Sequence, residues 1–234
     1  PVPFPAMGNE LSAAQRQRVL KFYVETLRTM AKQEDVARVW VRIPPLAKSY
    51  LEYGAPFANP LIRHGFVDLT YMTQVVDLTK TLDALWSDVR KGHKSDIKRG
   101  SRACEVKFWD SHTLTSEKFR QYQLLHAKNM GAVTRTQLTF DYMYSWVMNE
   151  YAVLVEAEYQ DQAIGFSLMT LFGAGAYYGS SCKDPDIPDI PASHVIQWDT
   201  ILWLKDHGYK WYEVGLQQVC PQWFDAASDK QMSI

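Results

Sequence analysis

Glu213 and His194 are the two residues whose types and positions best suit proton transfer. Glu213 ends an aromatic strand just before Gly215, where a carboxylate beside a cleft could accept a proton or orient an amine. The same carboxylate could instead pair with Lys210 or cap a neighbouring segment. His194 lies at a helix start, where the positive end of the helix lowers the imidazole pKa and favours the neutral, proton-accepting form. Most histidines at such positions only pack or bond locally, so the structural interpretation stays open beside the catalytic one.

A basic run between residues 90 and 102 could hold phosphate groups. It contains six Lys and Arg residues against a single acid, Asp96. Helical spacing places several of them on one stripe, which would suit the phosphates of a nucleotide-linked sugar, a lipid diphosphate or a tRNA acceptor stem. The alternative is an ordinary solvated helix face. The candidate phosphate-binding residues are Lys91, Lys94, Lys98, Arg99 and Arg102, and Gln197, one turn after His194, is a further substrate-binding candidate.

The composition excludes several other kinds of site. With 25 Lys and Arg against 26 Asp and Glu among 234 residues, no net charge draws the chain to DNA. The three cysteines include no Cys-x-x-Cys pair and the six histidines show no ligand spacing, so we expect no metal site and a reducing compartment. No apolar run approaches the ~20 residues needed to span a bilayer. We expect a cytoplasmic protein, with peripheral contact at the inner membrane face as a further option.

The elements that must position these residues follow from periodicity and from turn residues. Ser12 and Gln15 form a capping box that starts an amphipathic helix running to about Ala31. Residues 36–43 alternate as a strand, which two prolines stop. Residues 44–64 are predicted to be irregular. Residues 66–78 have the composition of a strand. A helix capped by Thr79 is predicted to follow and to end at about residue 90.

From Cys104 onward the predicted order is strand, two helices, three strands, helix and strand. Short turns at 160–162 and 173–175 make the three strands an antiparallel meander, and Gly131 and Gly208 each end a helix. The pattern therefore predicts an α+β protein, that is, a mixed α/β fold. The predicted elements are 104–109, 116–130, 137–148, 151–159, 163–172, 176–182, 194–207 and 210–214.

Three stretches carry a resemblance to a known family. The first is Val76-Asp77-Leu78 with the later segment Lys94-Ser95-Asp96-Ile97-Lys98. The second runs from Ala176 to Ser181 and resumes from Pro191 to Trp198, and the third runs from Gly208 to Gly215. In their order and spacing these stretches resemble the FemAB family, a branch of the GNAT acyltransferase superfamily. The resemblance implies a GNAT-like fold, with a mostly antiparallel central sheet flanked by helices.

The resemblance also implies a domain organisation, because FemAB-like proteins carry two GNAT-like units in tandem. Residues 1–78 are expected to form the second half of a first unit, and residues 79–234 a second unit. Residues 229–234 resemble the lead-in to a family segment of the Phe-Lys-x-Gly-Phe-Gly kind, whose lysine the family suggests matters to the chemistry. We therefore expect the second unit to be truncated at its C-terminal end.

The implied activity is transfer of an acyl or aminoacyl group to an amine of a cell-envelope precursor, either a peptidoglycan peptide or an amino sugar. In GNAT folds the fourth strand parts from the fifth, and backbone amides there can stabilise the developing oxyanion. That strand corresponds to residues 176–182. Tyr178 and Ser180 therefore join Glu213 and His194 as candidate catalytic residues, the alternative being a strand with an aromatic core face.

The acyl donor stays unresolved between aminoacyl-tRNA and acyl-CoA, and no tightly bound cofactor is expected. The loop 183–191 lacks the glycines that bind the CoA pyrophosphate in acetyltransferases, and it carries three prolines and three aspartates. Against tRNA, the helices at 116–148 are too short for the coiled-coil arm that tRNA-binding FemAB proteins often carry. Two alternatives remain: a CoA-dependent N-acetyltransferase of polysaccharide biosynthesis, and a non-catalytic binding module for a phosphate-bearing ligand. The sequence leaves the oligomeric state open.

Overall fold

The computed structural model describes residues 2–5, 7, 10–43, 59–68 and 73–216. The chain divides into two compact units, Pro1–Tyr71 and Met72–Ile234. The division falls before the expected boundary at residue 78, because the strand Thr73–Asp77 pairs within the sheet of the second unit. That the first unit is half of a GNAT-like unit, and that the second is truncated, remain predictions; residues 229–234 lie outside the described residues.

The N-terminal unit is built around the helix α1, Ala13–Gln33, which begins with the predicted capping box of Ser12 and Gln15. Leu20 and Val24 of α1 pack with Leu61 in a small core. Two short parallel strands, β1 (Val2–Pro3) and β2 (Val41–Arg42), accompany the helix. A 3-10 turn covers Ile62–His64. Of the strand predicted over 36–43, only these two residues of β2 form a ladder.

The C-terminal unit is a six-stranded sheet in the order β3-β8-β7-β6-β5-β4. All of its adjacent strands are antiparallel except β7 and β8, which run parallel. The predicted order of elements from residue 104 is confirmed. The strands are Thr73–Asp77 (β3), Glu105–Trp109 (β4), Ala152–Tyr159 (β5), Gln162–Phe172 (β6), Gly175–Lys183 (β7) and Trp211–Leu216 (β8). The helices are Leu82–Asp88 (α2), Lys91–Ala103 (α3), Ser116–Met130 (α4), Gln137–Met148 (α5) and Ala192–Asp206 (α6).

Helices cover both faces of this sheet. On one face, α4 and α5 pack over a core that includes Tyr122, Phe140 and Phe166. On the other face, α6 packs over Val155 and Met169, and α3 lies against α6. Each face therefore has its own core, and the sheet separates them. We refer to the two sides of the sheet as the α4 face and the α6 face.

Glycine permits the close approach of α6 to the sheet. A Cβ atom on Gly165 of β6 would lie 3.3 Å from Cβ of Ala192, at the start of α6. A larger residue at this position would push away the helix N-terminus that carries His194. No helix within the described ranges is long and apolar enough to cross a membrane.

Candidate functional site

The strands β7 and β8 run side by side for only three residue pairs, from Gly175–Trp211 to Tyr177–Glu213. Beyond that point β7 continues to Lys183 beside β6, whereas β8 continues to Leu216 beside β3. The two strands therefore part, and within residues 73–216 no strand fills the gap. We call this gap the β7–β8 wedge. Within the described residues, the edges of β7 and β8 that face this gap have no ladder partner beyond Tyr177 and Glu213.

Glu213 lies at the apex of the β7–β8 wedge, at the last pair that joins the two strands. Its side chain is only 4% exposed. The hydroxyl oxygen of Thr73, on β3, lies 3.1 Å from Glu213 Oε1 and 2.6 Å from the carbonyl oxygen of Gly215. A hydroxyl has one proton to donate, so Thr73 can serve only one of these acceptors at a time. The buried carboxylate lies beside the point where the sheet opens, within reach of the Thr73 hydroxyl.

Tyr212 precedes Glu213 in β8 and points to the α6 face. Its hydroxyl donates to Gln197 Oε1 of α6 at 2.6 Å and lies 3.4 Å from Met169 Sδ. Burial raises the pKa of Tyr212 well above its usual value, and the neighbouring Tyr178 raises it further, although the bond to Gln197 lowers it. Gln197 thus orients a neutral phenol beside the wedge. A direct role of Gln197 in substrate binding remains a prediction.

Tyr178 and Ser180 do not share a face of the sheet. Residues two apart in a regular strand point the same way, but here Met169 pairs with Tyr178 while Leu168 pairs with Ser180, which leaves Gly179 as an extra residue. This β-bulge interrupts the alternation of side chains, so that residues before and after it exchange faces of the sheet. Tyr178 consequently packs on the α6 face and Ser180 lies on the α4 face, where it contacts Tyr122.

Ser180 belongs to a polar cluster that the sequence analysis missed. The hydroxyl of Tyr122, on α4, donates to Ser180 Oγ at 2.7 Å. Arg135, in the connection between α4 and α5, places NH1 2.6 Å from Ser180 Oγ and 3.3 Å from the Tyr122 hydroxyl. Burial raises the Tyr122 pKa, while Ser180 and Arg135 oppose that rise. No local pattern marks this cluster, because Arg135 and Ser180 are 45 residues apart in the chain.

His194 lies in a separate cleft of about 210 Å³ between α3 and the start of α6. Asp96, Arg99 and Lys183 also line this cleft. His194 Nε2 is 3.8 Å from Asp96 Oδ2, and the imidazole ring lies 5.1 Å from that of His93. Burial lowers the His194 pKa; Asp96 opposes this, and His93, Lys183 and Arg99 add to it. The imidazole is therefore neutral at pH 7.

The basic residues of α3 differ in their contacts. Lys94 donates to the carbonyl oxygen of Ser87 at 3.0 Å, and the ammonium groups of Lys94 and Lys98 lie 5.7 and 5.9 Å from the ring centre of Trp86. Arg99 pairs with Asp96 at 3.0 Å and lines the His194 cleft. Lys91 and Arg102 are exposed. Arg99 is thus a predicted phosphate ligand that lines the same cleft as His194, and phosphate binding by the whole set remains a prediction.

Carboxylates anchor the loop that follows β7. Asp184 is 2% exposed, and the ammonium group of Lys128, on α4, lies 2.6 Å from Asp184 Oδ1 and 2.8 Å from Asp186 Oδ2. The backbone N–H of Asp186 also donates to Asp184. The bond from Lys128 lowers the Asp184 pKa, so this carboxylate is ionised at pH 7. These bonds fix the loop to α4, with Asp184 buried and Asp186 as an exposed acidic side chain.

Solved structures share this architecture. A crystal structure of FemX matches with a TM-score of 0.55 at 14% identity, over 68% of this chain and 56% of that chain. The structure of L-PGS from Bacillus licheniformis matches with a TM-score of 0.51 at 11% identity, over 68% of this chain and 49% of that chain. This chain has the GNAT-like fold of FemX. The predicted fold, a mostly antiparallel sheet flanked by helices, is thereby confirmed.

The chain spans about half of the length of these two structures. Neither a family model nor a curated protein sequence matches it. At these identities the likeness concerns the fold, and the chemistry must be argued from the site. Among the residues that the structure describes, no group of His, Cys, Asp and Glu could hold a metal ion.

Proposed function

We propose that this protein transfers an acyl or aminoacyl group to an amine. The observation that carries the proposal is the buried carboxylate of Glu213 at the apex of the β7–β8 wedge. The open strand edges can hold an extended acyl donor, and the carboxylate beside them can accept a proton from the amine. The FemAB resemblance in sequence and the FemX-like fold support the same activity.

The reaction needs three groups from the site: donors to an oxyanion, a base and a proton source. The amine nitrogen attacks the carbonyl carbon of an ester or thioester, and a C–N bond forms while the carbonyl oxygen becomes an oxyanion. Backbone N–H groups of β7 beyond Tyr177 are the proposed donors to that oxyanion. Glu213 is the proposed base that takes the proton from the attacking nitrogen. The C–O or C–S bond then breaks, and the leaving group takes a proton, for which the Tyr178 hydroxyl on the α6 face is the proposed source.

The proposed acceptor is the amine of a cell-envelope precursor, either a peptidoglycan peptide or an amino sugar, in the cytoplasm. This part of the proposal rests on the family resemblance. The proposed donor carries phosphate, as both aminoacyl-tRNA and acyl-CoA do, and the cleft with Arg99, Lys183 and a neutral His194 suits such a group. The aspartates fixed by Lys128 disfavour the usual CoA pyrophosphate site, because carboxylates repel phosphate.

The test is incubation of the protein with charged tRNA, acyl-CoAs and amino-sugar nucleotides, with mass spectrometry of the acceptors. Glu213→Gln should lower kcat by roughly 100- to 10,000-fold, the usual contribution of a general base. Glu117→Gln, which changes an exposed carboxylate on α4, is the matched control and should leave kcat unchanged.

Two results would contradict the proposal. One is an unmodified acceptor with every donor under conditions in which FemX is active. The other is a Glu213→Gln variant that keeps the wild-type rate. Tight binding of a phosphate-bearing ligand without turnover would favour the binding-module alternative instead.

A further inference from the structure

Arg135 is a cation fixed by neutral partners. Its NH1 group lies 2.6 Å from Ser180 Oγ, 3.3 Å from the Tyr122 hydroxyl and 3.8 Å from Met143 Sδ. These contacts hold the half-buried guanidinium against β7, at the residue that follows the bulge. Arg135 itself belongs to the exposed connection between α4 and α5, in which Val133 is also exposed. The group is therefore held in position yet reachable from solvent.

The charge of Arg135 has no counter-ion among the described residues, since all of its contacts there are with the three neutral side chains. The titratable groups around it are also neutral at pH 7. Burial raises the pKa of Tyr122, and burial raises the pKa of the Cys182 thiol to about 12. Burial, and then Arg135 itself, lowers the pKa of His126. A partly desolvated cation without an anion is unfavourable, and an anionic ligand would relieve this.

The donors that remain in this cluster form a set suited to an oxyanion. Ser180 Oγ accepts from both Tyr122 and Arg135, which occupies its two lone pairs and leaves its own proton to be donated. The Nε and NH2 groups of Arg135 have no acceptor within the described part of the chain. An arginine edge donates two parallel N–H bonds to a carboxylate or a phosphate, and the Ser180 hydroxyl can add a third bond.

We propose that Arg135 and Ser180 bind an oxyanionic group of the substrate, a carboxylate or a phosphate, on the α4 face of the β7–β8 wedge. The proposal rests on the proposed transferase function and narrows its substrate class. The sheet separates this position from the His194 cleft, which lies on the α6 face. The site thus takes a substrate whose amine lies near an acidic group, as in an amino acid or an amino-sugar phosphate. Tyr122 is a positioning residue, because it acts through Ser180.

The test measures anion binding without turnover. The protein is titrated with inorganic phosphate and, separately, with acetate at constant ionic strength, and the backbone N–H signals of Gly179, Ser180 and Ser181, which every variant retains at these positions, are followed by NMR. A saturable shift is expected with at least one of the two anions, and the stronger binder identifies the group as phosphate or carboxylate. Since each charge-assisted hydrogen bond is worth about tenfold or more in affinity, Arg135→Gln should weaken binding about tenfold or more.

Three further variants keep the test informative. Arg120→Gln, which removes an exposed arginine of α4, is the matched control and should bind like the wild type. Arg135→Lys keeps the charge but loses the planar fork, and Ser180→Ala loses one donor; each should weaken binding several-fold. Both remain usable if Arg135→Gln fails to fold. A linear, unsaturable shift, or equal affinity in Arg135→Lys, Ser180→Ala and the control, overturns the proposal.

The outcome is separable from that of the transferase assay. Saturable anion binding at Arg135 with no acyl transfer to any amine leaves the anion site standing and removes the proposed reaction. Transfer to an acidic acceptor with an unchanged KM in Arg135→Lys leaves the reaction standing and removes the anion site.

Discussion

The buried ion pair between Lys118 and Glu156 gives a prediction about how α4 is held on the sheet. Lys118 Nζ, on α4, lies 2.8 Å from Glu156 Oε1, and the indole N–H of Trp109 donates to Oε2 at 2.7 Å. Glu156, on β5, is 0% exposed and Lys118 is 16% exposed. The ammonium group also lies 5.1 Å from the Trp109 ring centre. Because both charges are largely out of water, removal of one leaves the other without compensation.

Lys118→Met should therefore lower the free energy of unfolding by about 3 to 5 kcal/mol, the range found when one partner of a buried pair is removed. Adding Glu156→Gln should restore part of this loss. The glutamine carbonyl can still accept from Trp109, and only a neutral amide is left without an acceptor, at about 1 to 3 kcal/mol. The double variant is therefore expected to be more stable than the single Lys118→Met variant.

The assay is urea unfolding followed by far-UV circular dichroism, with the free energy taken from the linear dependence on urea. Lys80→Met is the matched control, because Lys80 pairs with Asp88 at 2.9 Å while both side chains are about half exposed. Its midpoint should not change measurably. The reasoning is refuted if Lys118→Met is as stable as this control, or if the double variant is less stable than Lys118→Met.

Two further predictions concern protonation. The His194 pKa, measured by NMR, should lie below 6.5, and Asp96→Asn should lower it further, because the Asp96 carboxylate opposes the effect of burial. Since the folded state then binds fewer protons than the unfolded state, His194 favours folding above about pH 6.5, and this contribution falls as the pH decreases towards its folded pKa; a His194 pKa above 6.5 would contradict this. Cys182, whose pKa burial raises to about 12, should resist thiol reagents at pH 8 until the protein unfolds, and peptide-resolved labelling at the rate of an exposed cysteine would show the thiol to be accessible.

Sequence alone determined the order of elements from residue 104 onward, whereas the helix expected to be capped by Thr79 is capped by Thr81. Helix starts are local, because a capping side chain bonds an amide three residues away, as Thr115 does with Lys118 and Thr136 with Thr139. The short turns that make the meander are local as well. For this reason the order of elements, the family resemblance and the glycine-free loop could all be read from the chain.

Tertiary structure decided which of the candidate site residues lie close together. The one-residue bulge at Gly179 depends on how β7 aligns with β6, so strand alternation within the sequence could not show that Tyr178 and Ser180 lie on opposite faces. The contacts of the basic residues of α3 also depend on tertiary structure, because Trp86 lies beside Lys94 and Lys98 while Asp96 pairs with Arg99 at the cleft.

The carboxylate of Glu213, at the end of an aromatic strand, was already a candidate in the sequence. Only the fold shows that β7 and β8 part at this residue, that Thr73 lies beside it and that Arg135 reaches Ser180 from another connection. The physical reason is that a proton acceptor can be recognised from its chemical type. Its burial and its partners depend on segments far apart in the chain, which only packing brings together.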